Sequence, residues 1–194
     1  MDLSKYVYHS VNDLNDGCCV LVGNLIITAG HVLSNNVLTI IIEGTTYNLS
    51  KENALIYKWD GDNMNATASD IAIFNISSLS SPLELDATKP CADMTLKSIS
   101  YEHGTEQTDE VDFLFGGKIS NEYIRLHECD AIITEVDGNF FQCKTSIVLK
   151  PGSSGSPVFR NGKVFGILHG GLQGKPYCVF QSSASIIELL KGVK

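Results

Sequence analysis

The chain has 194 residues, 43% hydrophobic and 19% charged, with 14 Lys+Arg against 22 Asp+Glu for a formal net charge of -8. That length suffices to bury a hydrophobic interior without covalent staples, and the composition excludes general disorder. The acidic balance excludes nucleic acid as a principal partner, because such binding draws most of its free energy from Lys and Arg neutralising phosphates.

Short strands fill the chain. Apolar runs at 18–22 and 25–28 flank Gly23-Asn24, a two-residue hairpin signal. Runs at 37–43 and 46–49 flank Gly44-Thr45 in the same way, and Ile71-Ala72-Ile73-Phe74 reads as a buried strand. Ser and Pro then accumulate from Ser77 to Pro82 and at Lys89-Pro90, which predicts a surface connector. Further strands are predicted at 95–101, 111–119, 131–136, 140–149, 158–159, 164–168 and 177–180. Ser183 or Ser185 caps a predicted terminal helix whose apolar face is Ile186, Ile187, Leu189 and Leu190. The expected division is a β half over 1–80, a linker over 81–92 and a second β half with the helix over 93–194.

The six cysteines form no Cys-x-x-Cys pair, so neither a zinc site nor a disulfide framework is expected. His127-Glu128-Cys129 is the nearest approach to a ligand set; no metal or cofactor is expected there. The first residues carry no basic region followed by an apolar run, and the longest apolar stretches are too short to span a bilayer. A cytoplasmic, membrane-free protein is the expectation, a monomer or weak dimer.

Three segments carry chemistry. Pro151-Gly152-Ser153-Ser154-Gly155-Ser156-Pro157 is a loop of small residues between strands, able to turn several backbone N–H groups toward one point. It lacks the helix that follows the Ser of an α/β-hydrolase elbow. Thr28-Ala29-Gly30-His31 places an imidazole directly after a strand, where its orientation can be fixed. Asp70 leads straight into the apolar strand Ile71 to Phe74. Singly these are an ordinary loop, a polar turn residue and a strand-start Asp bonded to nearby backbone. Together they supply a base, an orienting acid and a nucleophile in that chain order.

These blocks resemble the triad blocks of the chymotrypsin-like serine proteases, across essentially the whole chain. The resemblance implies two six-stranded antiparallel β-barrels with a C-terminal helix, and a serine endopeptidase acting on polypeptides. It implies His31, Asp70 and Ser154 as the triad and the N–H groups of Gly152 and Ser154 as the oxyanion hole. Secreted members carry a Cys directly after the His; here Val32 stands there. The resemblance therefore runs to disulfide-free branches, the viral 3C-like and arterivirus-type proteases and the bacterial glutamyl endopeptidases, with a viral polyprotein-processing enzyme expected first. The alternatives are a stand-alone bacterial or cellular protease and a peptide-binding pseudoprotease.

Specificity is expected in Leu168-His169-Gly170-Gly171, with Tyr177 narrowing the pocket. Relatives specific for Gln or Glu read Gly-Ile-His, and here the His falls one residue later. Since strand side chains alternate faces, that shift puts Leu168 in the pocket and turns His169 toward Asp70 or solvent, unless a bulge at Gly170-Gly171 restores His169 to the pocket. Both arrangements remain open from the sequence.

Overall fold

The structure, a computed structural model, describes residues 1–11, 16–33, 37–59, 68–111 and 118–193. Strands β1 (Val7–Val11), β2 (Asp16–Val22), β3 (Leu25–Thr28), β4 (Leu38–Ile42), β5 (Thr45–Leu49), β6 (Ile56–Trp59) and β7 (Asp70–Asn75) form one antiparallel sheet in the order β5-β4-β1-β2-β3-β7-β6. Strands β8 (Thr95–Val111), β9 (Lys118–Asp137), β10 (Phe140–Thr145), β11 (Pro157–Arg160), β12 (Lys163–Gly171) and β13 (Tyr177–Ser182) close into a six-stranded barrel, followed by helix α1 (Ser183–Lys191). The chain is thus all-β with a terminal helix, as expected, but the first half has seven strands. Its end strands β5 and β6 do not pair with each other among the described residues, so it is a curled sheet beside a closed barrel.

Five of the seven fall on strands read from the sequence; the other two, β1 and β6, were not anticipated. Val7-Tyr8-His9-Ser10-Val11 and Ile56-Tyr57-Lys58-Trp59 carry polar side chains, and each is recruited by pairing with an apolar neighbour, β1 with β2 and β6 with β7. Strands β8 and β9 extend beyond the predicted 95–101 and 131–136 into a long hairpin. Most of the predicted strand at 111–119, residues 112–117, lies outside the described residues. The predicted 140–149 strand ends at Thr145.

Continuous apolar runs here mean burial on both faces. In β7, Ile71 and Ile73 enter a core shared by the two halves, while Ala72 and Phe74 enter the interior of the first sheet. In β2, Val20 and Val22 face the shared core and Cys19 and Leu21 the interior. The barrel answers with Ile99, Phe159, Val164 and Ile167 in the shared core and Phe141, Phe165 and Phe180 in its own. Helix α1 adds Ile186, with Leu189 and Leu190 packed beside it. Its N-cap is Ser182, whose Oγ accepts from Ser185 N–H at 3.2 Å, so the cap is neither Ser183 nor Ser185 but the residue before them. The two halves are held by one apolar seam, and the chemistry-bearing loops lie at its rim.

Candidate active site

After β3 the chain turns through Ala29-Gly30 into a single 3-10 turn, Gly30–Leu33, that carries His31. Gly30 is dictated by a close approach: a Cβ there would lie 2.4 Å from the Lys58 carbonyl oxygen and 3.0 Å from Ile71 N. Only glycine lets this turn settle onto the start of β7, where Asp70 stands. His31 N–H then donates to Asp70 Oδ1 at 2.8 Å, and His31 Nδ1–H donates to Asp70 Oδ2 at 2.7 Å. Because a carboxylate only accepts, this pair puts the ring proton on Nδ1 and leaves Nε2 with a free lone pair.

Asp70 is 1% exposed and has two further partners. Its own N–H donates to Gln181 Oε1 at 2.8 Å, and His169 Nδ1–H donates to its Oδ2. Burial pushes the carboxyl up, but the hydrogen bonds and charges of His169 and His31 outweigh it and hold Asp70 at a pKa of about 2. The site therefore contains a buried, ionised carboxylate shared by two imidazoles.

The loop that carries Ser154, between β10 and β11, reaches across to the first half. Cys18 N–H donates to the Ser154 carbonyl at 2.7 Å, and Cys18 Sγ–H approaches the Gly152 carbonyl at 3.4 Å. Gly155, at φ +85°, packs so tightly that a Cβ would lie 2.1 Å from Cys18 O and 2.4 Å from Thr28 Oγ1. The loop is thus seated on β2 and on the last residue of β3, three positions before His31. Within it, Ser153 N–H donates to Lys150 O at 3.2 Å, Gly155 N–H to Leu168 O at 2.9 Å and Ser156 N–H to Ser153 O at 3.0 Å. The N–H groups of Gly152 and Ser154 donate to nothing among the described residues. Ser154 is half-buried, and its Oγ makes no hydrogen bond to His31 in this state.

A cavity of about 520 Å³ opens beside Ser154, walled by Val148, Leu149, Leu168 and Leu172 with Gly170 and Gly171 along its edge; Gln173 and Lys150, whose ammonium is held by Glu102 Oε1 at 2.6 Å, also line it. His169 is absent from it. The β12/β13 register shifts between Leu168 and Gly170, so the bulge falls on His169 itself, one residue before the anticipated place. The extra residue swings to Asp70, and Leu168 stays in the cavity. Tyr177 also lies outside the lining; it pairs with Lys144, and Cys178 lines the wall instead.

His127-Glu128-Cys129 is not a ligand set. Alternation sends His127 to Glu102 Oε2 at 3.1 Å and exposed Glu128 to Lys97 at 3.3 Å, while Cys129 is buried and its thiol pushed up to about 11 by that burial. All six cysteines are free, and only Cys91 is exposed. Sequence reasoning missed Gln181, Cys18 and Trp59, whose indole lies 5.5 Å from the His31 ring. A lone Gln inside the apolar run Val179-Phe180-Gln181 was the one available signal.

A curled antiparallel sheet and a closed barrel with a His, an Asp and a Ser-bearing glycine loop at their seam define the chymotrypsin-like class of hydrolases. Residues 16–167 match the model of the trypsin-like peptidase domain; the chain belongs to that family and is a serine endopeptidase by class, with polypeptide as substrate. Among solved structures, the chain is similar to a Glu endopeptidase in complex with MPD, at TM-score 0.67 and 15% identity over 98% of this chain and 91% of that one. It is also similar to an inactive form of Rv3671c from M. tuberculosis H37Rv, at TM-score 0.65 and 15% identity over 98% and 87% of the two chains. A third is the product complex of tobacco etch virus protease, at TM-score 0.60 and 18% identity over 98% and 78%. At these identities the likeness is one of fold. No curated protein sequence matches the chain.

Proposed function

We propose that His31, Asp70 and Ser154 are the catalytic triad of an endopeptidase, with the N–H groups of Gly152 and Ser154 as its oxyanion hole. One observation carries the reading: a buried carboxylate fixes His31 through Nδ1, beside a loop whose unclaimed N–H groups belong to Gly152 and to Ser154 itself. In this mechanism His31 Nε2 takes the Ser154 hydroxyl proton as Oγ attacks the peptide carbonyl, then delivers it to the departing amine. Asp70 remains ionised and stabilises the imidazolium. The two free N–H groups receive the oxyanion, each contributing about 3–4 kcal/mol to the transition state in comparable sites. The acyl-enzyme is then released by water with His31 again as base.

Substrate chain pairs with the free edge of β12 at Gly170-Gly171, and the side chain before the cleaved bond enters the cavity beside Ser154. The apolar walls support a preference for aliphatic or other uncharged apolar side chains there, in place of Gln or Glu. Residues 1–80 and 93–194 serve as the two halves of the cleft, joined by 81–92. Six free thiols, five of them buried, support work in a reducing compartment such as a cytoplasm, in line with a narrow-specificity processing enzyme of the viral 3C-like kind.

Digestion of a randomised peptide library by the wild type and by Ser154→Ala tests this. Cleavage by the wild type after Leu, Val, Ile or Met, and none by the variant, is the expected result. Undiminished cleavage by Ser154→Ala, or a Gln/Glu preference, overturns the nucleophile or the pocket reading respectively. Digestion of a whole denatured proteome tests the processing role: few cut sites support it, and cleavage at most apolar residues refutes it.

A further inference from the structure

A second cavity, of about 320 Å³, lies on the His169 side of β12, lined by Phe140, Gln142, Val179 and His169 and rimmed by Glu135 and Asp137. We propose that it binds the cationic side chain of a Lys or Arg in the substrate, four residues before the cleaved bond. This rests on the reading of Ser154 and Gly170-Gly171 as the cleavage site.

The position follows from pleating. In a strand added to the edge of β12, side chains alternate, so the residue that enters the Ser154 cavity and the one two before it face the same way. The second and fourth residues before the bond face the other way, toward His169. The nearer of these two meets a crowded aromatic trio. The His31 ring lies 5.5 Å from both Trp59 and His169, and Trp59 lies 6.1 Å from His169. The open space lies further along, where the Phe140 ring sits 5.8 Å from His169 on the edge of the second cavity.

The charge of the occupant follows from the rim. Register places Glu135 opposite Gln142 and Asp137 opposite Phe140 on adjacent strands, so both carboxylates flank one aromatic surface. Both are exposed, and neither makes an ion pair or a hydrogen bond among the described residues. A long aliphatic stem laid along Phe140 and Val179 with a cationic head between two unneutralised carboxylates matches both the apolar wall and the charge. An acidic side chain is repelled by the same pair.

Binding to Ser154→Ala, which holds substrate uncut, isolates the pocket from the chemistry. Labelled octapeptides with Leu before the cleavage point and Lys, Gln or Glu four residues before it are compared by fluorescence anisotropy. The Lys peptide is expected to bind about five- to tenfold more tightly than the Gln peptide at low salt, falling to about twofold at 0.5 M salt. The double change Glu135→Gln/Asp137→Asn removes that preference, so that the Lys and Gln peptides bind the variant equally. Equal binding of Lys and Gln peptides, or a Lys preference that survives the double change, overturns the proposal. If the wild type cuts none of these peptides while the Lys preference persists, the catalytic reading fails and the pocket stands.

Discussion

The two ends of the candidate site are built on opposite plans. At Asp70 both carboxylate oxygens and the backbone N–H are engaged: one oxygen takes the His31 backbone N–H, the other takes His31 and His169, and the backbone N–H of Asp70 goes to Gln181. At the Ser154 loop, three N–H groups are consumed in holding the loop's shape and two are left over. The difference teaches where orientation is stored and where binding capacity is reserved. A saturated, buried carboxylate cannot move and so fixes an imidazole. In the proposed mechanism the two donors left over bond the developing oxyanion more strongly than the neutral carbonyl that precedes it, which favours the transition state over the ground state.

The largest way to break the contrast is at the Ser154 end. Ser154→Ala is expected to lower kcat by about 10⁶-fold, measured on a fluorogenic peptide, with the thermal midpoint unchanged because the Ser154 hydroxyl holds no other group. Asp70→Asn is expected to cost about 10⁴-fold, because an amide offers His31 the wrong complement of donor and acceptor and so the wrong tautomer. The same change removes a pH-dependent contribution to stability. With a folded pKa of about 2 against an ordinary value of 3.8, Asp70 contributes about 2 kcal/mol that is present above about pH 4. That contribution is lost as pH falls from about 4 through about 2. Urea unfolding at pH 6 and pH 2.5 measures it; an equal acid loss in wild type and Asp70→Asn would refute it.

How much of this was legible depended on whether the signal was local. The hairpin at 18–28, the apolar strand of β7 and the three chemistry-bearing segments announce themselves through neighbouring residues, turn glycines and runs of small side chains. Strands β1 and β6 do not, since their own residues are half polar and pairing with β2 and β7 decides their state. His169 was the sharpest ambiguity. Alternation alone turns it away from the Ser154 cavity; a bulge at Gly170-Gly171 was needed to bring it back, and the bulge falls on His169 instead. Gln181 and Cys18 were invisible for a different reason: their partners lie 111 and 136 residues away along the chain, at Asp70 and Ser154.

Between the two ends lies Gly155, which joins them sterically. Gly155→Ala puts a Cβ into the Cys18 carbonyl and the Thr28 hydroxyl at a backbone φ of +85°. It is expected to lower stability by about 2–4 kcal/mol and to lift the loop off β2. Denaturant unfolding measures the first effect. The second is read as a loss of kcat that added substrate does not rescue; a variant with unchanged stability would show that the loop is not seated on the first half.

The smallest effect tests whether saturation at Asp70 matters as such. His169 touches the carboxylate that holds His31, so in the proposed mechanism it is a positioning residue whose removal leaves the proposed triad chemically complete. His169→Leu takes away one of the three donors to a buried carboxylate, and burial then weighs more heavily against the ionised form. The pKa of Asp70 rises from about 2 toward its ordinary value, so its contribution to stability shrinks and is lost at a higher pH than in the wild type. The expected kinetic cost is about tenfold in kcat on a substrate with a single residue before the cleaved bond, whose KM is unchanged because it reaches only the cavity beside Ser154, lined by Leu168 and not by this side chain. His169→Gln, which keeps a donor, recovers most of that loss. A change in KM alone, or a Leu variant indistinguishable from wild type in both kcat and acid stability, would mean that His31 and the backbone hold Asp70 without help.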